Sequence, residues 1–186
     1  MKRIRLPLTQ SAIKKLKVGD EVLLRGALYT ARDAAHKRLV EIAKKGKRLP
    51  IPLKDETIYY VGPTPAMPGR PIGSCGPTTS SRMDLFTIPL LDRGLSGMIG
   101  KGRRSKEVIS AIKKHNGVYF VAVGGAAAFL AKKVKKATCV AFCELGPEAI
   151  YLLEVEDFPV IVAIDSKGRN IYEKIGTKKG GRKKAR

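Results

Sequence analysis

The chain has 186 residues, enough for one ordinary domain that buries about two-thirds of its unfolded surface. Lys and Arg number 37 against 16 Asp and Glu, a formal net charge of +21, while hydrophobic residues make up 44%, the level of a packed globular domain. No apolar run approaches the ~20 residues of a membrane span, and the first eight residues lack the apolar stretch of a secretory signal, so a cytoplasmic protein is expected.

Residues 2–8 alternate charged and apolar side chains and read as a strand. Thr9 or Ser11 can cap a short helix through Lys17, which Val18-Gly19-Asp20 ends. Residues 21–30 are strand-like. Asp33 is the expected cap of a helix through about Lys45, with Gly46 as its stop. A short strand is predicted over 58–61. Residues 62–79 form a long loop with prolines at 63, 65, 68, 71 and 77, and so long a loop in a compact domain is usually functional or disordered. A helix over 81–92, a short strand at 98–99 and a helix over 105–116 closed by Gly117 follow. Residues 118–123 read as an apolar strand and 126–134 as a helix. Strands are expected at 140–142, 149–155 and 160–164, with Asp165-Ser166-Lys167-Gly168 turning into a last strand at 170–172. Strands and helices alternate, so the fold class is α/β, and the strand-rich ends imply a mixed sheet.

A charge of +21 attracts anions without naming one: nucleic acid, acidic membrane, a small polycarboxylate or an acidic partner all fit. The last nine residues hold six Lys and Arg and read as a solvated, disordered tail, with an RNA-binding arm as the alternative. The cysteines are three, Cys75, Cys139 and Cys143, an odd and sparse set that does not suit a disulfide scaffold. Cys139 and Cys143 lie four apart in an apolar stretch and read as buried, inert thiols. A self-contained iron–sulfur cluster, which takes three or four thiolates, is not expected.

The chemistry sits at three junctions where a loop opens a helix. Arg32 precedes the helix from Asp33. Gly76-Pro-Thr-Thr-Ser-Ser-Arg82 leads from the proline loop into the next helix, and Gly100-Lys-Gly-Arg-Arg104 leads into a helix capped by Ser105. Helix N-termini attract anions through unpaired N–H groups. Arg grips a planar carboxylate with two parallel hydrogen bonds, Lys is a mobile point charge, and Thr can donate to a carboxylate or relay a proton. Each junction also has an ordinary reading: Arg32 snorkelling, Thr78 to Ser81 capping a helix, Lys101 to Arg104 as a solvated turn. Together they would suit a small ligand with two negative ends. His36 reads as a packing or supporting histidine rather than a base, and His115 as a surface residue. Gly100-Lys101 is no Walker A loop, because Leu95 and Gly102 stand where Gly and Ser or Thr are needed. Val123-Gly-Gly-Ala126 lacks the dinucleotide fingerprint and reads as close strand–helix packing, with active-site backbone as the alternative. No zinc spacing and no Ser–His–Asp order stands out.

These segments resemble a known family. Arg25-Gly-Ala-Leu-Tyr-Thr-Ala-Arg-Asp-Ala-Ala-His36, Tyr60-Val-Gly-Pro-Thr-Pro65, Gly73-Ser-Cys-Gly-Pro-Thr-Thr-Ser-Ser-Arg-Met-Asp84, Met98-Ile-Gly-Lys-Gly102, Gly124-Gly-Ala-Ala-Ala128 and the stretch from Glu148 to Pro159 look like the beta subunit, or C-terminal domain, of the iron–sulfur hydro-lyases. Those are class I fumarate hydratase and L-tartrate dehydratase. The resemblance implies a swivelling β/β/α domain over residues 1–175, with 176–186 as the basic tail. It implies reversible hydration of fumarate to L-malate on a [4Fe–4S] cluster, carried by a partner alpha subunit and not ligated by this chain. It implies that Arg32, Arg82 and Lys101 clamp the dicarboxylate, which Thr78 and Thr79 also bind, that Thr78 takes part in proton transfer, and that Asp33 and His36 support them from behind. A hetero-oligomer is implied, with no membrane or nucleic-acid role. Ser80-Ser81 and Cys75 depart from the family's usual Ala-Gly and Ala, which leaves fumarate, tartrate or another hydroxy diacid open. A nucleic-acid-binding protein and a stand-alone dicarboxylate-binding module are the rival readings.

Overall fold

The computed structural model describes residues 1–122 and 125–176. Its elements run β1 (Lys2–Arg5), α1 (Gln10–Lys15), β2 (Glu21–Thr30), α2 (Asp33–Lys44), β3 (Thr57–Tyr59), a 3-10 turn (Ser80–Met83), α3 (Asp84–Leu91), β4 (Gly97–Gly100), α4 (Lys106–Lys114), β5 (Val118–Val121), α5 (Ala127–Ala131), β6 (Val134–Ala141), a second 3-10 segment (Cys143–Glu148), β7 (Ile150–Ile164) and α6 (Ile171–Gly176). The α/β class with a mixed sheet is observed. Val123, Gly124 of the Gly-Gly pair and the basic tail from 177 onward lie outside the described residues. Among the described residues no helix is long and apolar enough to cross a membrane.

The seven strands form one sheet in the order β1-β2-β3-β4-β5-β7-β6. β1 to β5 are mutually parallel, and β7 runs antiparallel to β5, β6 and β2. Because β7 pairs with both β5 and β2, the strands β2, β3, β4, β5 and β7 close into a ring.

Period-two alternation then divides the core. Leu28, Tyr59, Ile99 and Phe120 enter one buried cluster, joined by Ile13 of α1 and Leu130 of α5. Their strand neighbours Tyr29, Ile58, Met98 and Tyr119 enter a second, covered by α2, α3 and α4. In α2 the buried residues Ala35, Leu39, Val40 and Ala43 recur at helical spacing. Each large aliphatic or aromatic side chain so buried contributes about 1.5–3 kcal/mol.

Several expectations are corrected. β7 is one strand, not two: Pro159 sits opposite Leu23, and the irregularity is absorbed at Asp157, whose φ is +49°, and in a register shift between Leu24 and Gly26. A bulge tolerates a proline that a regular ladder would not. The helix expected to reach Val134 stops at Ala131, and β6 occupies Val134–Ala141, because pairing with β7 outweighs local helix preference. The last predicted strand reduces to a single bridge, Ile164 to Asn170, before α6. The helix from Ser81 begins as a 3-10 turn. The helix over 105–116 turns on Asn116, at φ +52°, rather than on Gly117. Thr9 and Ser105 do cap their helices, accepting from Ala12 and Val108 N–H groups.

Candidate active site

β2, β3 and β4 are parallel neighbours, so their carboxyl ends lie side by side, the edge at which parallel α/β sheets and barrels usually bind ligands. The end of the proline loop is spliced between two of them. Thr78 N–H donates to the Tyr60 carbonyl (2.7 Å), Lys101 N–H to the Thr78 carbonyl (3.2 Å), and Ser80 N–H to the Lys101 carbonyl (2.9 Å). Thr79 and Lys101 form a parallel bridge. Thr78, Thr79 and Lys101 thus stand on adjacent backbones. Gly100 permits this approach: a Cβ there would meet Ser80 Oγ at 2.0 Å and the Tyr60 ring at 2.9 Å.

The arginines gather around carboxylates. Asp33 accepts from Arg82 Nε (3.0 Å) and Nη2 (2.5 Å), a two-pronged pair, and lies 3.6 Å from Arg32 Nε. Arg32 Nη2 lies 3.5 Å from Glu148. Gly62, two residues past Tyr60, lets the Arg32 side chain cross its backbone: a Cβ there would stand 2.7 Å from Arg32 Cδ. Asp33 is not the cap of α2, as expected from sequence. Arg32 holds that position without a side-chain bond, and Glu148 accepts the Ala34 N–H at 2.8 Å. Asp33 is instead occupied by the arginines.

Beneath this rim is a buried polar layer. The Tyr119 hydroxyl reaches Ser80 Oγ (2.8 Å) and the Gly102 carbonyl (2.9 Å), tying the threonine segment to the Lys101 loop. Arg104 donates to Asp84 (2.6 Å) and Thr87 (2.6 Å) and lies over the rings of Tyr60 and Tyr119. Asp84 also accepts the Ser105 N–H at 2.7 Å. The basic turn is therefore not solvated throughout: Arg103 is exposed and Arg104 buried. His36 is buried against Tyr60 and Phe86, with Nδ1 2.9 Å from the Arg32 carbonyl. Burial, with the Arg104 charge adding to it, lowers its pKa to about 4 against the opposing pull of the Arg32 carbonyl and Asp33. It is neutral at neutral pH and packs behind Arg32. His115 lies partly exposed, 3.0 Å from Asp92.

The thiols differ from expectation. Cys139 and Cys143 are joined in a disulfide, and Cys143 is exposed, so neither is a buried inert thiol. Local apolar composition concealed the pairing, which the chain reversal from β6 into the 3-10 segment creates. Cys75 is free and buried, and burial raises its pKa to about 12. Among the described residues no three His, Cys, Asp or Glu side chains group to hold a metal. The rim combines the cations Arg32, Arg82 and Lys101 with the hydroxyl-bearing Thr78 and Thr79 and the carboxylates of Asp33 and Glu148.

A family model described as Fumarase C-terminus matches residues 1–175. The chain belongs to that family. It is 46% identical over 159 residues to fumarate hydratase 2 of Leishmania major, covering 84% of this chain and 28% of that protein. It is 44% identical over 163 residues to the anaerobic class I fumarate hydratase of Escherichia coli (strain K12), covering 87% and 30%. It therefore spans under a third of the length of these two relatives. A protein of Methanocaldococcus jannaschii, provisionally named an L(+)-tartrate dehydratase subunit beta, is 43% identical over 177 residues, covering 92% of this chain and 91% of its own.

In this fumarase C-terminus fold Arg32, Asp33 and Arg82 share one ion-paired group, Thr78, Thr79 and Lys101 share one backbone splice, and His36 stands behind Arg32. Sequence reading assigned no role to Glu148, Asp84 or Tyr119, and placed Arg104 only within a basic turn. Glu148 falls in a segment that carries the resemblance, but its proximity to Arg32 has no local signature.

Proposed function

We propose that this chain is the beta-type part of a cytoplasmic two-subunit class I fumarate hydratase, active only with an alpha subunit in a hetero-oligomer, and that it binds fumarate and L-malate. The observation that carries the reading is that the ion-paired Arg32 and Arg82 and the spliced Thr78, Thr79 and Lys101 lie on segments that follow adjacent parallel strands, in a fumarase C-terminus chain. Arg82 and Lys101 are exposed and Arg32 partly so, and an open rim of cations suits a site that a partner closes. The [4Fe–4S] cluster of the alpha subunit would supply Lewis-acid activation of the water or hydroxyl group.

This chain's share is binding, orientation and a proton. Arg32, Arg82 and Lys101 hold the two carboxylates of the substrate, and Thr79 donates to one of them. Holding both ends fixes the rotation of the central carbons and removes much of the entropic barrier to reaction. Thr78 takes part in proton transfer at the carbon that gains or loses hydrogen. A Thr hydroxyl at its ordinary pKa is a weak base, so it acts with a group of the alpha subunit.

The test is anaerobic co-expression with the candidate alpha subunit, cluster reconstitution and a fumarate hydration assay against each subunit alone. Activity only in the combined sample, lost in Thr78→Ala, is expected. A second reading, an L-tartrate dehydratase subunit, draws on the near full-length match to the provisionally named archaeal protein. A complex with an intact cluster that dehydrates tartrate and ignores fumarate would select it. Salt-sensitive binding of RNA that is lost with residues 178–186, in a chain forming no complex, would replace both.

A further inference from the structure

Glu148 reaches the site from far along the chain and uses its two carboxylate oxygens for different partners. Oε2 accepts the Ala34 N–H at 2.8 Å, satisfying a helix N-terminus that has no cap of its own, and Oε1 lies 3.5 Å from Arg32 Nη2. The four groups Glu148, Arg32, Asp33 and Arg82 therefore alternate in sign along the rim. Arg32 keeps 25% of its side-chain surface, so this guanidinium stays open to a ligand while its orientation is set. The loop that delivers Glu148 is itself staked. Cys143 is bonded to Cys139, Glu144 pairs with Arg38 of α2, and the Tyr151 hydroxyl donates to the Gly146 carbonyl at 3.2 Å.

We propose that Glu148 is a positioning residue for substrate binding: it orients the Arg32 guanidinium toward a substrate carboxylate while capping the helix that starts there. A long, free arginine would lose rotamer entropy on binding, and one already held by a carboxylate loses less. The inference rests on the dicarboxylate reading of the site.

The two tasks separate by substitution. In Glu148→Gln the amide oxygen still accepts the Ala34 N–H, but the charge facing Arg32 is gone. Glu148→Ala removes both. In the reconstituted two-subunit enzyme, Glu148→Gln is expected to raise KM for fumarate about tenfold with kcat within about twofold, the pattern of lost ground-state binding. The thermal midpoint of the full chain should hold in Glu148→Gln and fall in Glu148→Ala. Unchanged kinetics in Glu148→Gln, with lower stability in Glu148→Ala, would leave Glu148 a helix cap and overturn the inference. Equal loss of stability in both variants, with KM following it, would overturn it too. A wild-type complex that turns over no dicarboxylate would instead overturn the functional reading, and this inference would fall with it.

Discussion

Arg104 on one hand, and Arg32 with Arg82 on the other, are used in opposite ways. Arg104 has no exposed side-chain surface, and Asp84, Thr87 and the rings of Tyr60 and Tyr119 surround its guanidinium. Arg32 and Arg82 keep 25% and 50% of their side-chain surface beside the carboxylates that pair with them. A fully surrounded cation has no N–H left for a ligand, and its value is structural. A half-held cation has a fixed direction and spare donors, which suits binding. The comparison also explains why charge alone did not identify the site: both sets count equally toward +21.

Breaking the buried set should give the largest effect on stability. Arg104→Ala leaves Asp84 partly buried and unpaired, and about 3–5 kcal/mol should be lost in urea unfolding of the full chain. A loss below about 1 kcal/mol would mean that the layer under the rim is not held by this cation. Arg82→Ala sharpens the contrast. Its exposed pair with Asp33 should contribute under about 1 kcal/mol to stability, while kcat/KM in the two-subunit enzyme should fall by about 10²-fold or more.

His36 lies between the two sets, and its titration reports on the boundary. The folded chain holds it at a pKa of about 4 against the ordinary 6.5, so between those values the unfolded chain carries a proton that the folded chain lacks. Its contribution to stability is therefore present above pH 6.5 and is lost as pH falls toward 4, by up to about 3 kcal/mol. Urea titrations of wild type and His36→Gln across that range should differ in slope, with the variant flatter. At the loop that delivers Glu148, Cys143→Ser should cost about 2 kcal/mol of stability, less than the loss at Arg104, and a reductant should reproduce that loss in the wild type alone.

Much of the fold was legible in local pattern. Residues 21–30 read as a strand and are β2; Thr9 or Ser11, and Ser105, were read as helix caps, and Thr9 and Ser105 serve as such. Both features depend on a residue and its near neighbours, through period-two alternation in one case and a side chain reaching the N–H three positions on in the other. The loop-to-helix junctions were legible for the same reason. β7 was not, because a proline and a left-handed Asp157 look like a break when the pairing strand is unseen.

The amino-acid sequence by itself determined the α/β class, the three cationic junctions and the family resemblance, since each resides in residue type and short spacing. Only the tertiary structure decided which arginine is buried, which cysteines pair and which carboxylate caps α2. Arg103 and Arg104 are adjacent and alike in composition, yet one is exposed and one buried, because the fold aims only the second between Tyr60 and Tyr119. Glu148 and Arg32 become partners only when β7 folds back against β2, and that contact is formed by strand pairing rather than by any local preference.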